Sequence, residues 1–220
     1  MQNANGSTQA EVAGRRSHRT FALHRPMTLE GSPSHSSMRK VVVYELLSLD
    51  GVAEAPDEFF SWDDALDAEL GSVIAHQDAV ILGRRTYDEW ASFWPASDIQ
   101  PFATFINGVA KHVATSAPLQ ADWANSSAIE AGLVDFVRDL RGQPGGDIGV
   151  HGSISVAQSL LAAGLVDELK LVIGPMLAGS GRRLLDGVPL MQLEPIRTYV
   201  SPMGYVQLDY RVLRQATDPE

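Results

Sequence analysis

The hydrophobic and polar positions of the chain follow two periods in turn, which predicts strands alternating with helices. Short apolar or β-branched runs that end at glycine or polar residues are typical of strands. Apolar residues three or four positions apart are typical of helices. The predicted strands are 40–51, which ends in an Asp-Gly turn, 78–83, 111–116, 146–152, 168–177 and 204–213. The predicted helices are 58–75, 86–94, 128–141 and 155–164.

Two of the predicted helices begin with the spacing of a capping box, in which two polar side chains satisfy the first N–H groups. Thr86 and Glu89 have this spacing in one helix, and Ser155 and Gln158 have it in the other. Gly164 then suits the C-terminal end of the second helix. Both helices should therefore start directly after a strand.

The order of the predicted elements indicates an α/β fold. Strands alternating with helices favour three αβα layers around a mainly parallel central sheet. The last two predicted strands have no helix between them, so we expect an antiparallel C-terminal edge. Residues 38–220 are predicted to form one domain. Residues 1–37 are polar and without a period, which favours a disordered extension or a start codon assigned too early, with Met38 opening the folded part.

The composition limits the classes of function. A formal net charge of −10 argues against a nucleic-acid binder, which normally has a basic face. No run approaches the ~18 apolar residues of a membrane span. The chain has no cysteine, which excludes disulfides, thiolate metal sites and the zinc deaminase signature. We therefore expect a cytoplasmic protein that binds a small molecule and neither nucleic acid nor membrane, and we assign no metal.

Four polar or glycine-rich segments follow predicted strands, where open α/β sheets bind their ligands. They are SLDG (48–51), GRRT (83–86), ATSA (114–117) and HGSIS (151–155). In GRRT, Gly83 would let a ligand approach the backbone, and Arg84 and Arg85 could bind phosphate. The alternative is that both arginines are solvated and pair with nearby acids.

The other segments add hydroxyl and amide donors. The backbone amides of 152–155 could surround a diphosphate, although an ordinary capped helix explains the same residues. Thr115 and Ser116 supply a pair of hydroxyls. Two helix N-termini, arginines and these hydroxyls suit a dinucleotide with an extra phosphate. No acidic residue stands ready for a free ribose hydroxyl, so the prediction is NADPH rather than NADH. Neither G-x-G-x-x-G nor a Walker loop is present.

In this order the segments resemble the dihydrofolate reductase fold. They are more closely similar to the reductase domain of riboflavin biosynthesis and its stand-alone relatives. The resemblance rests on YELLSLDGVA, LGRRTYDEW, ATS, VHGSISVAQSLL and the P-x-x-x-G-x-G-x-x-L pattern within 167–187. It covers about 38–213, and it implies hydride transfer from NADPH to an acceptor.

The resemblance also implies roles for individual residues. Nicotinamide would lie against Leu49, Asp50 and Gly51. The adenosine and phosphate half would be bound by Arg84, Arg85, Thr86 and Ser116, and the diphosphate by Gly152, Ser153, Ile154 and Ser155. Because the riboflavin-type branch is commonly dimeric, a homodimer is expected.

The residues that would act on the substrate are less defined. Folate reductases use one carboxylate on the first helix, and here Asp63 and Asp67 are candidates along with Asp50, although a solvated acidic face is the alternative. Phe59 and Trp62 could stack on a flat ring or simply pack. Arg182 and Arg183 could bind a substrate phosphate or lie in a surface loop or subunit contact.

Three functions remain open from the sequence. The leading one is an NADPH-dependent reductase of a small heterocyclic or carbonyl compound. The second is a 5-amino-6-(5-phosphoribosylamino)uracil reductase, in which Arg182 and Arg183 would contact the ribose phosphate. The third is a non-catalytic NADPH- or ligand-binding protein, which the lack of an assignable proton donor favours.

Overall fold

The structure, a computed structural model, describes residues 38–58 and 60–213. The predicted extension, residues 1–37, lies outside the described residues. The strands are β1 (Val41–Leu47), β2 (Gln77–Gly83), β3 (Ala110–Ala114), β4 (Ser126–Ala128), β5 (Asp147–His151), β6 (Glu168–Ile173), β7 (Gln192–Val200) and β8 (Val206–Leu213). The helices are α1 (Asp64–Ile74), α2 (Arg84–Phe93), α3 (Phe102–Gly108), α4 (Leu133–Arg141) and α5 (Ile154–Ala162).

The strands form one sheet in the order β4-β3-β2-β5-β1-β6-β8-β7. Neighbours from β4 to β6 are parallel, whereas β8 is antiparallel to both β6 and β7. Parallel neighbours need crossover connections, which place helices over the faces of the sheet. The predicted mainly parallel sheet with an antiparallel C-terminal edge is confirmed.

Apolar cores cover both faces of the sheet. Successive side chains of a strand point to opposite faces, so neighbouring residues of β1 enter different cores. Val43 packs in one core with Leu160 of α5. Val42 packs in the other with Leu66 of α1 and Ile106 of α3. Helices therefore lie on both faces, and the predicted three-layer αβα arrangement is confirmed.

The sequence pattern does not predict β7. All nine of its residues are exposed, so no apolar alternation marks it as a half-buried strand. Pro195 lies within it, where the register with β8 shifts, and proline is found mainly in edge strands. The antiparallel edge therefore contains β6, β8 and β7, although the two predicted strands at 168–177 and 204–213 do pair.

The helices α1, α3 and α4 differ most from the prediction. α1 begins at Asp64, because Pro56–Glu58 forms a separate 3-10 turn. The predicted helix 128–141 is helical only from Leu133, since the preceding β4 pairs with β3. The seven-residue helix α3 was not predicted. Within the described residues, no helix is long and apolar enough to cross a membrane.

Candidate functional site

The four polar segments lie at one edge of the sheet. β5 lies between β2 and β1, and β3 is next to β2. These strands are parallel, so the segments that follow them extend from the same edge. The candidate site is defined here as this edge: residues 48–51, 83–86, 114–117 and 151–155, with the loop 174–187 that bonds to them.

The turns after β2 and β5 are hydrogen-bonded to each other. The Gly83 N–H donates to Ser153 Oγ, and Thr86 Oγ1 donates to the Gly152 carbonyl, both at 3.0 Å. Both predicted capping boxes are therefore wrong, and α2 and α5 begin without a side-chain cap. Gln158 donates instead to loop carbonyls at the same edge. The two hydroxyls fix the turns relative to each other.

Arg84 connects the start of α2 to the end of β3. Its Nε donates to Asp88 Oδ2 at 2.6 Å, and its Nη1 donates to the Pro118 carbonyl at 2.9 Å. The same nitrogen lies 3.4 Å from Thr115 Oγ1, and Ser116 next to it is exposed. The Arg84 side chain is 29% exposed. The structure thus places Arg84 beside Thr115 and Ser116. Arg85 and Thr86, predicted for the same half of the cofactor, contact Glu54 and the Gly152 carbonyl instead.

A second group of cations lies near the start of α5. The Arg85 side chain is 70% exposed, and its Nη1 is 3.4 Å from Glu54 Oε1. Glu54 Oε2 accepts the Arg182 N–H at 3.2 Å. Arg182 Nη2 in turn donates to Ser155 Oγ at 2.7 Å. Arg182, which was predicted to contact the substrate, is therefore in direct contact with Ser155, which was predicted to contact the cofactor.

Asp50 holds the loop that follows β6. Its carboxylate accepts hydrogen bonds from Ser48 Oγ (2.7 Å) and from the N–H groups of Ala178 (2.9 Å) and Gly179 (3.0 Å). Arg183 Nη2 lies 3.6 Å from it. The hydrogen bond from Ser48, followed by that from Ala178, lowers the pKa of Asp50 to about 2. An aspartate ionised this readily is a poor proton donor, which argues against Asp50 as the catalytic acid.

The segments after β1 and β5 each contain a glycine whose backbone angles favour glycine. Gly51 has φ +84°, two residues after Leu49, which is 66% exposed. Gly152 has φ +61°, and a Cβ atom there would lie 2.8 Å from Trp90 Cζ2. The turn after β5 therefore requires glycine, because the indole of Trp90 packs directly against it.

Glu45 is a buried carboxyl beneath this turn. It lies on β1 and is only 3% exposed. Burial raises its pKa to about 8, although hydrogen bonds from the backbone of Ser153 and Gly152 favour the ionised form. Two of the four backbone amides predicted to bind diphosphate thus already face a carboxyl group. Ile154 and Ser155, which begin α5, have N–H groups without intrahelical acceptors.

The aspartates of the first helix differ from one another. Asp63 is the N-cap of α1, and its Oδ1 accepts the Leu66 N–H at 2.8 Å. This bond gives Asp63 a structural role, which argues against it as the catalytic acid. The pKa of Asp67 is raised by burial first and then by the charges of Asp64 and Asp63. A role for Asp67 as proton donor stays a prediction.

The aromatic residues before α1 divide between the surface and the core. Phe59 lies outside the described residues. Trp62 is 42% exposed, with its ring centre 6.1 Å from that of Phe60. The Phe60 ring packs on Tyr205 at 4.7 Å. Trp62 is therefore accessible to a ligand, and its stacking role stays a prediction.

Sequence reasoning missed Glu45 as a part of the site and did not predict the contact between Trp90 and Gly152. The available signal for Glu45 was a single carboxyl in the otherwise uncharged run VVVYELL. No signal marks Trp90, because its contact with Gly152 joins residues far apart in the chain.

The residues of this edge could hold the phosphates of anionic ligands such as a dinucleotide. Four arginines, at positions 84, 85, 182 and 183, are gathered at one edge of a chain whose net charge is −10. The start of α5 adds backbone donors that favour an anion. Arg84 beside Thr115 would bind the adenosine phosphate, and Arg85 with the α5 turn would bind the diphosphate.

Comparison with known proteins agrees with this geometry. The chain is 25% identical over 179 residues to the uncharacterized protein YyaP of Bacillus subtilis (strain 168), covering 78% of this chain and 94% of that protein. A Shewanella sp. PV-4 protein provisionally named for riboflavin biosynthesis has a TM-score of 0.66 at 19% identity, over 80% of this chain and all of that one.

A third similar protein is the Thermotoga maritima diaminohydroxyphosphoribosylaminopyrimidine deaminase/5-amino-6-(5-phosphoribosylamino)uracil reductase. It has a TM-score of 0.59 at 14% identity, over 80% of this chain and 57% of that protein. These likenesses confirm the dihydrofolate-reductase-like fold. The model of the RibD C-terminal domain matches residues 39–207. The chain therefore belongs to the RibD C-terminal domain family.

Proposed function

We propose that this protein is an NADPH-dependent reductase whose substrate is a pyrimidine carrying a ribosyl phosphate. The observation that carries the proposal is the gathering, at the carboxyl edge of the sheet, of arginines from the start of α2 and from the 174–187 loop. The comparisons support 5-amino-6-(5-phosphoribosylamino)uracil as substrate better than the small heterocyclic or carbonyl compound expected from the residues alone.

The proposed chemistry needs little from the protein beyond binding and orientation. When bound, NADPH would supply a hydride to C1′ of the C=N bond that forms when the ribose ring opens, and the nitrogen of that bond would take a proton from water, which gives the ribitylamino group and NADP⁺. Arg84, Arg85 and the α5 turn would hold the cofactor phosphates. Arg182 and Arg183 would hold the ribose phosphate, since a guanidinium forms paired hydrogen bonds with phosphate.

The test is turnover of this pyrimidine with NADPH, followed by mass spectrometry of the ribitylamino product. Replacing Arg183→Ala should raise the KM for the pyrimidine at least about tenfold, as expected for a charge-assisted contact. It should leave NADPH affinity nearly unchanged. Arg138→Ala, which removes an exposed arginine on α4, is the control. Absence of product with either cofactor would reject the proposed reaction.

A non-catalytic ligand-binding protein is the second candidate. It is favoured by the low pKa of Asp50 and the capping role of Asp63, which leave Asp67 as the remaining candidate for a carboxyl proton donor on α1. NADPH binding without oxidation by any of a panel of carbonyl and heterocyclic acceptors would support it.

A homodimer is also proposed. The exposed edge strand β7 carries apolar side chains at Leu193, Ile196, Tyr199 and Val200. An exposed, partly apolar edge strand is a template for pairing with another chain. Sedimentation equilibrium should give twice the chain mass, and Ile196→Glu should lower the dimer fraction. A concentration-independent monomer would reject this assembly.

A further inference from the structure

Glu45 has an unusual place for a carboxyl group. It lies in β1 between Val43 and Leu47, and both of these flanking residues belong to the core beneath α4 and α5. Because side chains alternate along a strand, Glu45 points to the same face. In register, Tyr44 is opposite His151, the last residue of β5. Glu45 therefore lies under the turn that leads from β5 into α5.

The hydrogen bonding of Glu45 is incomplete. The backbone amides of Ser153 and Gly152 lie near its carboxyl group and favour its ionised form. Its Oε1 atom has no hydrogen-bond partner among the described residues. A buried polar atom is normally hydrogen-bonded. This oxygen is therefore an unused hydrogen-bonding position beneath the turn after β5, where the diphosphate is proposed to bind.

Nearby ionisable groups do not neutralise Glu45. His151 on β5 bonds to Gln77, and burial lowers the pKa of His151 to about 3, so it is neutral. Arg182 of the 174–187 loop donates to Ser155, and Arg183 donates to the Asp50 carbonyl. The raised pKa of Glu45 reflects burial, opposed only by the two backbone hydrogen bonds.

We propose that Glu45 is a positioning residue that makes binding of the dinucleotide diphosphate take up one proton. The protonated carboxyl lets Gly152 and Ser153 turn their N–H groups to the diphosphate, and its own O–H becomes a donor. The ionised carboxyl retains those N–H groups and places a negative charge beneath an anionic ligand. This inference rests on the proposed NADPH site and adds a regulator of it.

The sign of the effect follows from linkage. Glu45 ionises in the free protein as pH rises through about 8, and a bound anion opposes that ionisation. The affinity for NADPH is then constant at lower pH and falls above pH 8. The 2′-phosphate of NADPH titrates near pH ~6, so it contributes little in this range. Among the described residues, Lys111, whose pKa is lowered by burial to about 8, also titrates in this range.

The experiment measures NADPH dissociation constants by tryptophan quenching from about pH 6.5 to about pH 9.5, a range that extends on both sides of the pH at which Glu45 ionises. The wild-type protein is compared with Glu45→Gln and with Glu168→Gln, a largely buried glutamate at the opposite end of the sheet. The wild-type protein and Glu168→Gln should bind NADPH at least roughly tenfold more weakly at the highest pH than at the lowest. Glu45→Gln should show a nearly flat profile, which separates Glu45 from Lys111.

A second readout needs no variant. Calorimetric titration of the wild-type protein with NADPH near pH ~8.5, in two buffers of different ionisation enthalpy, should show uptake of a fraction of a proton approaching one. Binding with no proton uptake, or the same pH profile in Glu45→Gln, would overturn the inference and leave the NADPH site standing. No NADPH binding at any pH would overturn both.

Discussion

Replacing Arg84→Ala should reduce the preference for NADPH over NADH. Arg84 Nη1 lies 3.4 Å from Thr115 Oγ1, and the adjacent Pro118 carbonyl accepts from the same nitrogen at 2.9 Å. The guanidinium is thereby held over the position proposed for the 2′-phosphate. NADH lacks this phosphate, so its affinity should change much less.

The magnitude follows from the type of contact. A hydrogen bond to a charged group contributes about 1.5–3 kcal/mol. A factor of ten corresponds to about 1.4 kcal/mol, so NADPH affinity should fall roughly 10- to 150-fold. The ion pair between Arg84 and Asp88 is partly exposed, so its loss should add little to the change.

The assay is tryptophan quenching by NADPH and by NADH for each variant. Asp88→Ala keeps Arg84 and removes its acidic partner, so its cofactor preference should stay near that of the wild type. Arg138→Ala controls for the loss of one positive charge from an exposed pair. An NADPH/NADH affinity ratio unchanged by Arg84→Ala would refute the assignment of the 2′-phosphate.

Three further predictions concern stability. Gly152→Ala should lower the free energy of unfolding by about 2–4 kcal/mol, because its φ is +61° and its Cβ would meet an indole. Gly164→Ala, with φ +64° and open space, should cost only about 1–2 kcal/mol. Asp63→Ala should lower the free energy of unfolding by about 0.5–2 kcal/mol, because a helix cap is lost. Asp64→Ala should lower it by less. The contribution of Glu45 to the free energy of unfolding should fall by on the order of 4 kcal/mol at most as pH rises from 4.5 to about 8. This pH dependence should be absent from Glu45→Gln.

Chemical denaturation at several pH values measures all three. Equal losses in the two glycine variants would exclude the steric contact with Trp90. Equal losses in Asp63→Ala and Asp64→Ala would mean that the cap contributes nothing. The free energy of unfolding of the wild-type protein minus that of Glu45→Gln should decrease as pH rises. The reason is that the folded protein retains the Glu45 proton over a pH range in which the unfolded chain has lost it. An increase would contradict the raised pKa.

The buried strands and longer helices were predictable because one residue pattern determines each of them. β1 and β2 are mostly apolar, with Glu45 inside β1 and Gln77 and Asp78 at the start of β2, and nearly all of their residues are buried, as in parallel strands. β7 has no such pattern, because its nine residues are exposed and proline interrupts it. Its position depends on pairing with β8, which no local sequence signal reports.

The gathering of the four polar segments at one edge of the sheet was predictable, but the contacts between them were not. Each segment follows a parallel strand, and ligand loops of α/β sheets lie at the carboxyl ends of such strands. Thr86 has the spacing of a local cap, yet its hydroxyl donates across to the Gly152 carbonyl, and Ser153 accepts from the Gly83 N–H of the other turn. Glu45 and Trp90 reach the Gly152 turn from distant parts of the chain. Such contacts depend on packing between elements rather than on spacing along one of them.

Hydride transfer is the central claim, and isotope transfer tests it most directly. The purified protein would be incubated with 5-amino-6-(5-phosphoribosylamino)uracil and NADPH carrying deuterium on one or the other face of nicotinamide C4. The account predicts that one of the two labels appears at C1′ of the ribitylamino product, with equal formation of NADP⁺. A product without deuterium from either label, or no product while NADPH is bound, would contradict it.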